Sequence, residues 1–165
     1  MNRAVLLFLF STFTLFADEQ WPGVPFAEVR AYYYQVNGGE EPIIKDGKLH
    51  SSVVNKEGAL LNATQTKRLI EARSLKVLYR RYKCYSPRHG FVFYDRDKKP
   101  VAYIEVCLEC IGSDTKPSRK GYLDFPTVLD LIEELELPFG PQAGNAKAIR
   151  LELQKMRFEF DEPVK

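Results

Sequence analysis

Cys84, His89, Cys107 and Cys110 are the residues of this chain whose types and spacing could do chemistry. They read Cys-x4-His, then an extended segment, then Cys-x2-Cys, and they use all three cysteines and one of the two histidines. Thiolate and imidazole are the donors that Zn²⁺ prefers, and a Cys₃His shell is an accepted structural site. The same sulfurs can instead form a structural disulfide, or a redox pair at Cys107-x-x-Cys110. A disulfide leaves one cysteine over, whereas a metal uses all three. Against the redox reading, the pair follows a strand rather than opening a helix, and Glu105 and Glu109 would raise a thiol pKa. The expected metal ligands are therefore Cys84, His89, Cys107 and Cys110, with zinc as the ion; no catalytic residue is assigned.

A hairpin must bring these residues together. Phe91–Tyr94 and Val101–Val106 alternate in the manner of strands, and Asp95–Lys99 joins them. If Asp97 and Lys98 centre the turn, Tyr94 faces Val101, Val92 faces Tyr103 and Arg88 faces Cys107. His89 is one step from that last pair, and Cys84 comes near Cys110 or Ile111. A shift of one residue in register would turn His89 to the other face. Arg88 is placed to contact an anion or to pair with Glu105.

The segment CYSPRHGFVFYDRDKKPVAYIEVCLEC, from Cys84 to Cys110, resembles small exported bacterial proteins of unknown function. The residues that carry the resemblance are Cys84, Pro87, Arg88, His89, Phe93, Tyr94, Asp95, Cys107 and Cys110. The resemblance implies an envelope or secreted location and a shared Cys/His site, and it brings no activity with it.

The start of the chain agrees with export. Arg3 precedes an uncharged Leu/Phe-rich run, Ala4 to Phe16, which is short for a membrane span, and Ala17 is a suitable cleavage residue. Residues 1–17 thus read as a signal peptide and 18–165 as a single domain, periplasmic or secreted, with no membrane span after cleavage. With 24 Lys+Arg against 22 Asp+Glu, the charge balance implies no nucleic-acid partner. The basic and aromatic stretch Tyr79–Tyr85 reads as a strand with a solvated cationic face. An envelope protein or an anionic envelope polymer is the partner it suits.

The expected fold is α+β: an antiparallel sheet built from hairpins, with two to three packed helices. Trp21 and Phe26 pack from an irregular lead-in. Glu28–Val36 is a strand, with Val29, Ala31 and Tyr33 on one face and Arg30, Tyr32, Tyr34 and Val36 on the other. Asp46-Gly47 turns a hairpin between Ile43–Lys45 and Leu49–Val54. Asn62 and Gln65 form a capping box for a helix to Ala72. Residues 75–83 favour a strand, and 112–121 read as a loop. Asp124 caps a helix running to about Glu136. A final helix over Ala143–Met156 places Ala146, Ile149, Leu153 and Met156 on one face. His50 reads as a surface or hairpin histidine, and Ser51-Ser52 as serines with neither an acid nor a glycine elbow. Asp95 and Asp97 read as a solvated turn.

The function expected is that of a non-enzymatic exported protein with a structural Cys/His cluster. The rivals are a thiol–disulfide oxidoreductase using Cys107 and Cys110, and a binding or inhibitor module acting on an envelope protein.

Overall fold

A computed structural model describes residues 21–35, 41–73, 85–118, 123–141 and 143–158. The chain is a single α+β domain. Five strands, β1 (Glu28–Tyr33), β4 (Ala59–Leu60), β5 (His89–Tyr94), β6 (Pro100–Cys107) and β7 (Gly112–Lys116), form one sheet in the order β4-β1-β5-β6-β7. All four pairings are antiparallel. Strands β2 (Ile44–Lys45) and β3 (Lys48–Leu49) form a separate hairpin. The helices are α1 (Ala63–Arg73), α2 (Phe125–Glu134) and α3 (Ala146–Phe158). No described helix is long and apolar enough to cross a membrane. The expected signal peptide, Cys84 and the basic stretch up to Lys83 lie outside the described residues.

The β5–β6 hairpin takes the expected register. Val92 faces Tyr103 and His89 faces Val106, but a bulge at Phe93/Tyr94 pairs Tyr94 with Pro100 rather than Val101. The turn closes because Asp95 Oδ1 accepts from the backbone amides of Asp97 and Lys99, each at 2.9 Å. Lys98 takes a positive φ of 60° there. The other hairpin turn also forms as expected: Asp46 and Gly47 have φ of 52° and 72°, the pair of positive values that a type I′ turn requires.

Strand alternation sorts the side chains into two layers. Val29, Ala31, Phe91, Phe93, Ala102, Ile104 and Val106 face the helices and form the main core with Leu69, Val128, Leu129 and Ile132. Ala146, Ile149, Leu153 and Met156 of α3 close the same core, as their spacing predicts. Trp21 and Phe26 stack edge-on against Phe93 from the lead-in, each with ring centroids 5.1 Å apart. The opposite face carries Tyr32, Tyr34, Val92, Tyr94 and Tyr103, covered by Ile43 and Val53. The segment 41–58 therefore lies over the second face as a strap, so neither face of β5 is left to solvent. All six residues of β5 are buried, glycine and histidine included.

The capping box forms as expected. The Asn62 amide donates to Gln65 Oε1 at 3.0 Å, and the Gln65 amide donates to Asn62 Oδ1 at 2.9 Å. Asn145 Oδ1 accepts from the Ala148 amide at the start of α3, which settles that segment as helix. The expected loop over 112–121 is corrected at its start, where Gly112–Lys116 pairs with β6 from Cys107 to Tyr103. The sequence Gly-Ser-Asp-Thr-Lys has no apolar alternation. Backbone pairing along an open edge, rather than burial of side chains, makes it a strand.

Candidate functional site

His89 opens β5 and lies between Tyr33 of β1 and Val106 of β6. Its side chain is on the helix face, with the Tyr33 ring 5.5 Å away centroid to centroid. Burial lowers its pKa to about 4, so the ring is neutral at pH 7. Nε2 lies 2.7 Å from the Pro138 carbonyl oxygen, which only accepts, so Nε2 carries the proton. Nδ1 is then a bare lone pair, buried and with no hydrogen-bond partner among the described residues.

Cys107 ends β6 as a free, buried thiol. Desolvation raises its pKa, while backbone amides of Ser86, Cys110 and Glu109 act in the opposite direction. Cys110 is buried and disulfide-bonded. The ladder puts Val106, not Cys107, beside His89, and successive residues of a strand point to opposite faces. Among the described residues no group of three or more His, Cys, Asp or Glu side chains is gathered as for a metal ion; Cys84 lies outside them. Arg88 does not pair with Glu105. Its Nε lies 3.4 Å from Glu109 Oε1, and the two side chains are 17% and 13% exposed. Glu105 is engaged instead by the Tyr34 hydroxyl and the Ile43 amide.

The face of the sheet opposite the helices holds a carboxylate that pattern reading passes over. Glu105 is 3% exposed in the middle of β6. Its Oε1 accepts from the Ile43 amide at 2.5 Å and from the Tyr34 hydroxyl at 3.0 Å. Burial raises its pKa, and both hydrogen bonds act against that rise. Glycine at position 90 lets the strap descend onto this carboxylate. A Cβ there would stand 2.2 Å from Ile43 Cδ1, well inside contact distance.

The strap carries a second polar chain. Ser52 Oγ lies 2.7 Å from His50 Nδ1, and His50 Nε2 lies 2.6 Å from Glu41 Oε2. The Ser52 backbone amide also donates to Nδ1, at 3.2 Å. An amide N–H only donates, so Nδ1 is an acceptor and the proton sits on Nε2, facing the carboxylate. The hydrogen bond from His50 holds the Glu41 carboxyl below the usual range, with Lys45 acting in the same direction. His50 sits in the hairpin, as expected, and the reading of Ser51-Ser52 as lacking an acid is corrected by Glu41, which reaches Ser52 through His50. A signal existed: with Asp46-Gly47 as the turn, His50 falls opposite Ile43, and Glu41 is the diagonal neighbour on the same side.

An open groove of about 760 Å³ lies between β1, β4 and α1, lined by Phe26, Val29, Leu60, Leu61 and Ile70 among others. None of the residues above lines it. The fold and these two clusters together define a small α+β domain with a buried cysteine/histidine end and a strapped tyrosine-rich face. No protein-family model, curated protein or solved structure matches the chain.

Proposed function

We propose that this is an exported bacterial domain in which the Cys/His segment is a structural staple, and that the segment itself does no catalysis. The observation that carries this reading is the buried, disulfide-bonded Cys110 beside the free Cys107. A sulfur held in a disulfide has no thiolate to give to Zn²⁺, which favours crosslinking over coordination. Stable disulfides belong to oxidising compartments, in keeping with the N-terminal sequence. The chain has three cysteines and Cys107 is free, so the reading assigns Cys84 as the partner of Cys110. The raised pKa of Cys107 speaks against the oxidoreductase alternative, which needs an accessible thiolate.

Intact mass of the untagged mature protein, with and without reductant, tests the staple. The expected result is a gain of about 2 Da on reduction, one bridge's worth of hydrogen, with one free thiol beforehand and no stoichiometric zinc. Three free thiols, or one zinc per chain, would replace this reading with the metal site at Cys84, His89, Cys107 and Cys110. Insulin reduction at a rate that depends on Cys107 would replace it with the redox reading.

A further inference from the structure

We propose that Ser52 is a nucleophile for acyl transfer, with His50 as its general base and Glu41 as the residue that orients the imidazole. The directions of the hydrogen bonds carry the proposal. Glu41 accepts from the Nε2 proton, so the lone pair of Nδ1, which also receives the Ser52 amide at 3.2 Å, accepts from the Ser52 hydroxyl at the shorter distance of 2.7 Å. Serine and carboxylate occupy the opposite ring nitrogens from those in the serine proteases. A relay through a planar imidazole works either way round, because either nitrogen accepts while the other donates.

The three members are held from beneath. The Ile43 carbonyl accepts from the His50 amide at 2.8 Å, and the Ile43 amide is anchored on Glu105. The Ser52 carbonyl accepts from the Gln35 amide at 3.2 Å, and Val53 bridges to Tyr34. The sheet thus fixes the backbone at both His50 and Ser52, and Glu105 acts as a positioning residue through Ile43. The His50 side chain keeps 14% of its surface exposed, Glu41 keeps 48% and Ser52 is half-buried, so the relay lies at the surface of the strap. Lys56 Nζ rests on the Ser51 carbonyl at 2.7 Å, which places a cation one residue from the nucleophile. A shallow, solvent-facing site of this kind suits small activated carboxylic esters.

In the reaction, Ser52 Oγ attacks the ester carbonyl carbon and its proton passes to His50 Nδ1. The imidazolium so formed is paired with Glu41. The bond from carbon to the leaving oxygen breaks, and that oxygen takes the proton from Nδ1. Water then attacks the acyl-serine, gives its proton to Nδ1, and releases the acid as Ser52 Oγ is reprotonated.

The full chain treated with a biotinylated fluorophosphonate, digested and mapped by mass spectrometry should carry one adduct, on Ser52, and should turn over p-nitrophenyl acetate with an initial burst. Ser52→Ala should abolish the adduct, and His50→Gln should slow labelling about 100-fold. Glu41→Gln should slow it about tenfold, with partial recovery in Glu41→Asp. Adduct absent, or spread evenly over Ser51, Ser52 and Ser113, overturns the proposal. So does labelling at the same rate in urea-unfolded protein. Site mapping on the unsubstituted chain needs no variant to fold, and cooperative unfolding of each variant shows that a lost adduct is not lost structure.

Discussion

The backbone amide of Ile43 and the phenol of Tyr34 share one oxygen of Glu105, at 2.5 and 3.0 Å. The strap thereby hangs on a carboxylate that emerges from the middle of the sheet. One buried side chain thus ties the two layers together beside the backbone bonds at Gln35 and Tyr34, and its removal should be felt in both.

Glu105→Ala is expected to destabilise the domain by about 2–4 kcal/mol, because it leaves two buried donors unpaired. Glu105→Gln keeps an acceptor at Oε1 and removes the buried charge. The folded pKa of Glu105 is raised, so its contribution is fully present below the unfolded value near 4.5 and is lost as pH rises through the folded value. Urea titrations from pH 4 to 8 should therefore show Glu105→Gln gaining on the parent as pH rises. A constant difference across that range would mean that the carboxyl is not buried as described.

His89 should act in the opposite direction. Its folded pKa is about 4 against an ordinary 6.5, so the unfolded chain takes up the proton first. Stability is complete above about pH 6.5 and falls by about 3 kcal/mol as pH drops toward 4. His89→Gln can still donate to the Pro138 carbonyl and should lose that acid-side slope. The same urea series measures it, and an unchanged slope in His89→Gln would assign the acid sensitivity to other groups.

Gly90→Ala should cost about 1–3 kcal/mol, since its Cβ falls 2.2 Å from Ile43 Cδ1. Ile43→Ala removes the clashing atom. The double variant should then be more stable than the sum of the two single effects predicts, and strict additivity in a double-mutant cycle would show that the two residues do not meet.

Reductant, or Cys110→Ser, should lower stability by about 3 kcal/mol if the staple closes the chain between Cys84 and Cys110. Cys107→Ser should be milder and should leave the response to reductant intact. Chemical unfolding with and without dithiothreitol reads both effects. A Cys107→Ser protein that no longer responds would place the bridge on the other sulfur.

The parts of the fold that were legible in the sequence are those where local chemistry and packing agree. Asp95 ties a turn between two alternating runs, so the β5–β6 register could be read from the residues. Asn62 and Gln65 satisfy each other's amides without help from distant residues. Strand β7 was not legible, because its partner is the backbone of β6 and its own side chains carry no pattern. Glu105 sat in an apolar run as an apparent interruption. Its partners, the Tyr34 hydroxyl and the Ile43 amide, come from segments far away in the chain. The Glu41–His50 contact has no signature in the residues adjoining His50, because the Asp46-Gly47 turn supplies the acid across the hairpin.

The strap leaves the sheet at the end of β1 and comes back as β4, which lies alongside β1 itself, with Ala59 against Ala31 and Leu60 against Arg30. The detour departs from and rejoins the same strand, so no strand order depends on its length. A chain shortened between Gln35 and Gly58 would keep β1, β5, β6 and β7 as neighbours while uncovering Tyr34, Val92 and Tyr103. Such a protein should meet its own copies through that bared aromatic surface and fail by clumping before it fails by melting.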